Sequence, residues 1–77
     1  MPRYLFHLVS SQHVYLDDDG TDLPDLNAAR TEAQKDAQDF MRARFEQLSG
    51  DWTNWAIEIC DAEGHLLAVV PFVSQQN

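Results

Sequence analysis

Only one stretch of this chain has helical periodicity, and that limits the architecture to a sheet with a single covered face. In LPDLNAARTEAQKDAQDFMRARFEQL the apolar positions are Leu26, Ala29, Ala33, Ala37, Phe40, Met41 and Leu48, with the stem of Arg44 in line. This spacing predicts a helix of about five to six turns. Asp25, just after Pro24, is the expected N-cap, and Gly50 the expected stop. The stripe is small at its start and bulky at its end. Alanines let a helix lie close to a sheet, and Phe40 and Met41 fill the wider gap. Glu32, Lys35, Asp36, Asp39, Arg42 and Glu46 form the expected solvent face. One helix covers one face of a sheet, so the other face is left to water or to a partner.

The remaining segments read as strands. RYLFHLV (3–9) is apolar on both sides: Tyr4, Phe6 and Leu8 point one way, Leu5, His7 and Val9 the other. SSQH (10–13) is a polar turn, and VYLD (14–17) returns as a second strand. WAIEIC (55–60) alternates, with Trp55, Ile57 and Ile59 opposite Ala56, Glu58 and Cys60. DAEG (61–64) is a hairpin turn, and HLLAVVPF (65–72) is a last strand, again apolar on both sides. VSQQN (73–77) is a frayed tail.

The predicted fold class is therefore α+β: ββαββ, one four-stranded sheet with a single long helix on one face, as one domain over 1–77. Placing the two doubly apolar strands side by side gives the order 2-1-4-3. The alternative, 2-1-3-4, keeps every neighbour antiparallel. On the uncovered face the sequence places Leu5, His7, Val9 and Glu58, which form the candidate interaction surface.

Charge narrows the partners. Thirteen acidic residues against five basic ones give a net charge of −8. Arg3, Arg30, Lys35, Arg42 and Arg44 do not make the basic stripe that phosphate binding needs, so no nucleic acid and no anionic membrane is expected as a partner. A basic protein suits this surface better. A chain this short buries about 60% of its unfolded surface and gains from association, including with a second copy of itself. The single cysteine, Cys60, excludes an internal disulfide and favours a reducing compartment. The apolar run at residues 5–9 is too short for a signal peptide or a membrane span, so a cytoplasmic location is expected.

Residues that carry chemistry are scarce. DDDGTD (17–22) puts four carboxylates in six positions, but neither register fits a calcium loop: Gly20 as position six places Leu26 at twelve, and Asp17 as position one places Ala28 there. Asp and Gly are turn formers, and DAEG repeats the pattern. His7, His13, His65 and Cys60 lack the close spacing of zinc ligands. Asp61, next to Cys60, opposes formation of a thiolate. His7 and Glu58 are the only acid–base candidates off the solvated surfaces, and nothing in the sequence pairs them. WTNW (52–55) is expected to close the core edge. No phosphate loop, nucleophile elbow or dinucleotide fingerprint is present. The reading is a protein without catalytic residues, cofactor or metal, and not an enzyme.

Three blocks carry a resemblance: MPRYLFH at the start, DDDGTDLPDLNAARTEA in the middle and WAIEICDAEGHLLAVVPF near the end. Together they resemble a family of small uncharacterised bacterial proteins, a domain of unknown function common in alphaproteobacteria, whose members begin Met-Pro-Arg-Tyr-Phe-Phe-His. Leu5 departs from that pattern, where an aromatic residue is usual. The resemblance implies no activity, cofactor or catalytic residue. The leading expectation is a non-enzymatic protein-interaction module that forms a homodimer or binds a protein partner. The competing one is a small-molecule or metal-binding domain using His7, Glu58 and Cys60.

Overall fold

A computed structural model describes residues 1–43 and 52–73. The elements are β1 (Arg3–Val9), β2 (Val14–Tyr15), β3 (Thr21–Asp22), α1 (Leu26–Ala43), β4 (Ala56–Asp61) and β5 (Leu66–Pro71). They form one antiparallel sheet in the order β2-β1-β4-β5, with β3 also paired to β1. Among the described residues the sheet thus has five strands rather than four. The order is the all-antiparallel alternative, not the arrangement that put β1 beside the last strand. Two-sided apolarity misled that placement. β4, with Glu58 in its middle, runs between β1 and β5, while the wholly apolar β5 lies at an edge. The observed order replaces a parallel pairing with a continuous antiparallel ladder, which is slightly more stable per residue.

The additional strand comes from DDDGTD. β2 pairs through Leu8↔Tyr15 and β3 through Tyr4↔Thr21, so Leu5–His7 of β1 face the longer segment Leu16–Gly20. The edge strand therefore carries a two-residue insertion that bulges out between its two short halves. The stretch expected to be only a turn is a bulge followed by a strand. Leu23 N–H donates to the Pro2 carbonyl at 3.0 Å, extending the pairing to the doorstep of the helix.

The helix begins as its sequence requires. Asp25 Oδ1 accepts from Ala28 N–H at 2.9 Å, and the Asp25 carbonyl accepts from Ala29 N–H at 3.1 Å. Ala29 and Ala33 are 0% exposed, Ala37 is buried beside them, and Leu26, Phe40 and Met41 pack against the same core. The expected solvent face needs one correction, because Glu32 and Asp36 are half-buried. The predicted helix continuation to Leu48 and its stop at Gly50 fall outside the described residues, as does the tail beyond Val73.

Tyr4, Ile57, Ile59, Val70 and Phe72 meet the helix from the sheet. One end of this core is aromatic. Trp55 N–H donates to the Trp52 carbonyl at 3.1 Å, and this tight turn swings both indoles inward. Their ring centroids lie 5.9 Å apart, with Phe40 5.7 Å from Trp52 and 5.6 Å from Trp55. Phe72 stacks on Trp52 at 5.6 Å. The two tryptophans close the core edge, as expected, and are not a ligand shelf.

Candidate interaction face

The face away from α1 is built by the alternate residues of three strands. Register sets its rows: Leu5 opposite Cys60, His7 opposite Glu58, and Val9 opposite Ala56. β5 extends them, with Val69 beside Glu58 and Pro71 beside Ala56. Between Ile59 and Cys60 the register slips, so that Cys60 pairs with Leu66 and Leu67 becomes the extra residue. Leu5, His7, Val9, Ala56 and Glu58 are half-buried. Leu66, Leu67 and Val69 are 57%, 41% and 48% exposed. Among the described residues, His7 and Glu58 are the only ionisable side chains in the centre of this surface besides the buried thiol of Cys60. Sequence spacing left these two unpaired; the β1–β4 register makes them direct cross-strand neighbours. Leu66, Leu67 and Val69, read from the sequence as part of a central strand, contribute its most exposed apolar area.

One rim of the face is the acidic bulge, and Asp17 holds it. In the gap between β2 and β3 the Phe6 N–H has no ladder partner, and Asp17 Oδ2 accepts it at 3.1 Å. Asp17 Oδ1 accepts from Asp19 N–H at 3.1 Å and from Gly20 N–H at 3.0 Å. The Asp17 N–H in turn donates to His7 Nδ1 at 3.1 Å. Partial burial opposes ionisation of this carboxyl most strongly of any single influence. The Gly20, Phe6 and Asp19 N–H groups, with His7, together outweigh it and hold Asp17 below the usual carboxylate value. The cluster of carboxylates is thus explained in part as backbone chemistry, which Asx-turn propensity hints at and only the register reveals.

Gly20 has φ 75°, and a Cβ there would lie 2.8 Å from Arg3 Cγ and 3.0 Å from Leu5 Cδ2. The bulge therefore presses its backbone against the open-face side chains at the end of β1. Arg3 Nε donates to Asp22 Oδ1 at 3.0 Å and Arg3 Nη1 to the Asp19 carbonyl at 3.3 Å. Both partners of this ion pair are about half exposed, so it contributes little.

The opposite rim repeats the motif. Asp61 Oδ1 accepts from Glu63 N–H and His65 N–H, each at 2.9 Å, and Gly64 takes φ 93°. Asp61 Oδ2 lies 3.1 Å from His65 Nδ1. Among the described residues Asp61, Glu63 and His65 bring three donor atoms within 4.8 Å of one another. Both Asp61 oxygens are already committed to the turn, and Glu63 and His65 are exposed. This trio escaped the sequence reading because its spacing is that of an ordinary turn.

Cys60 is buried, and burial pushes its thiol up, with Glu58 and Asp61 adding to the effect. It is a poor nucleophile and a poor thiolate ligand. His13, read as an ordinary turn residue, stacks with Tyr15 at 6.1 Å and with Trp55 at 5.9 Å. It packs against the aromatic end of the core, on the helix side of the sheet. Between α1 and β5 lies a groove of about 340 Å³, lined by Gln34, Ala37, Gln38, Val70, Pro71 and Phe72. It contains no ionisable group.

No helix among the described residues is long and apolar enough to cross a membrane. No curated protein and no solved structure matches this chain. The sequence profile of one family, a domain of unknown function designated DUF6894, matches residues 3–73. That span takes in both hairpin turns, the helix and every strand, and the chain belongs to the DUF6894 family.

Proposed function

We propose that this chain is a non-enzymatic, cytoplasmic protein-interaction module that works through its open sheet face, taking either a second copy of itself or another protein. The carrying observation is the row Leu66, Leu67 and Val69, which leaves large aliphatic side chains 41% to 57% exposed on a face that no helix covers among the described residues. In a chain of 77 residues such side chains serve the core or an interface, because there is little apolar surface to spare. The small-molecule or metal reading of His7, Glu58 and Cys60 is the weaker one. His7 Nδ1 already accepts from Asp17, and the Cys60 thiol is buried and hard to ionise.

The test is in-cell photo-crosslinking from p-benzoylphenylalanine in place of Val69, with the same group in place of the exposed Thr31 on α1 as control. Protein adducts from position 69 and few from position 31 are expected. Equal yields from both, or none from position 69, would defeat the reading.

A further inference from the structure

We propose that the occupant of the open face is a second copy of the chain, packed face to face about a two-fold axis that runs along the strands between β1 and β4. This rests on the open face being the working surface, and it adds the partner and the register. The argument starts from the two polar groups in the middle of that face. Asp17 N–H occupies His7 Nδ1, so a neutral His7 carries its proton on Nε2 and has one donor left to offer. Glu58, ionised, only accepts, and it makes no hydrogen bond or ion pair among the described residues. Among the described residues, one copy therefore has an unused donor and an unused acceptor at paired positions of β1 and β4.

A two-fold axis along the strands lays β1 of one copy over β4 of the other at the same height. His7 of each copy then faces Glu58 of the other, twice, as an isologous contact requires. An in-plane axis running across the strands would instead stack Glu58 on Glu58, like charge on like charge, and leave both donors unused. Donor-to-acceptor matching, and the avoidance of Glu58 on Glu58, thus select the first axis. Around this polar centre β1 and β4 present the apolar side chains Leu5, Val9 and Ala56, and the axis brings Val69 of β5 over the Leu16–Gly20 bulge of the other copy. Face-to-face sheets pack about 10 Å apart with strands within roughly 30° of one another, which suits side chains of this size.

Size and net charge set the strength. Strands of six to seven residues in three rows make a footprint of about 20 Å by 15 Å, at the small, transient end of protein interfaces. Each copy carries −8, so the copies repel over the rest of their surface and salt screens that repulsion. Self-association therefore tightens as salt rises, whereas docking of a basic partner would loosen.

The decisive experiment is sedimentation equilibrium of the whole chain from about 10 μM to 1 mM at low and high salt. H7E and E58K are each expected to weaken the homodimer at least about tenfold. An equimolar mixture of the two is expected to dimerise as well as wild type, because the carboxylate introduced at position 7 meets the ammonium introduced at position 58. Val69→Asp, which takes no part in the Asp17 turn, abolishes association without relying on how H7E folds. Tryptophan fluorescence checks the fold of each variant. A dimer lost in V69D but not restored by mixing H7E and E58K overturns the two-fold register. A wild type that stays monomeric at the highest concentration and salt overturns the second copy, while foreign adducts from position 69 keep the face itself. A dimer indifferent to V69D overturns both.

Discussion

Asp17→Ala is the sharpest probe of how this sheet edge is held. The carboxylate accepts the Phe6 N–H, which lies in the gap between β2 and β3, and two further N–H groups of its own turn. In the variant, water reaches the Asp19 and Gly20 amides, so their loss costs little. The Phe6 amide is part-buried, and stranding such a donor costs about 1–3 kcal/mol. Hydrogen bonds to a charged acceptor sit at the upper end of their range, so about 2–3 kcal/mol is expected in all. A domain of this size has roughly 4–11 kcal/mol of stability, so the variant still folds. With a urea m value of about 1 kcal/mol per molar, the midpoint should fall by about 2 M. Trp52 and Trp55 in the core give the fluorescence signal. Asp18→Ala, exposed and one residue away, should move the midpoint by less than about 0.5 M. Hydrogen exchange adds a local readout, since the Phe6 amide should lose its protection in D17A. A midpoint shift no larger than that of Asp18→Ala, with Phe6 still protected, would refute the assignment of this carboxylate as a substitute ladder acceptor. The pH dependence has a defined sign. Because the folded state holds Asp17 below its ordinary value of 3.8, its contribution is present above that pH and is lost as pH falls through the depressed folded value. D17A should therefore show a shallower acid limb than wild type.

Asp36 behaves oppositely. Burial, then Glu32 and Asp39, push its carboxyl up to about 6 against the pull of Lys35. Its contribution is fully present below 3.8 and lost as pH rises through about 6, so wild-type stability should decline over that window. Asp36→Asn should remove the decline and be more stable than wild type at pH 7 by up to about 1 kcal/mol, after screening by solvent; urea midpoints at pH 4 and 7 decide, and equal differences at both would count against it. Gly20→Ala and Gly64→Ala both force an L residue to positive φ, but only at position 20 does the added Cβ meet a neighbour, 2.8 Å from Arg3 Cγ. Gly64→Ala should cost about 1–2 kcal/mol of backbone strain, and Gly20→Ala more, by urea denaturation; a larger loss at position 64 would contradict the close packing of the bulge.

Much of this protein was determined locally and could be read without coordinates. The stripe Leu26, Ala29, Ala33, Ala37 and Phe40 specifies a helix and the face it buries, because helical periodicity is a property of adjacent turns. Asp25 caps it for the same local reason. The alternation in β4 specifies which of its side chains face that helix, and Asp with Gly marks where the chain bends at Gly20 and Gly64. What the sequence by itself could not decide is which strand lies beside which. A strand apolar on both sides looks the same whether a neighbour, a helix or a partner covers it, so the sequence favours a central β5 while leaving the other order open, and the fold puts β5 at the edge. Register between distant strands depends on the sum of many weak cross-strand contacts, which no short window contains. Only tertiary structure could put His7 opposite Glu58, which lie about two thirds of the chain apart in sequence, and turn DDDGTD from a run of charges into a bulge whose first carboxylate completes the ladder of β1.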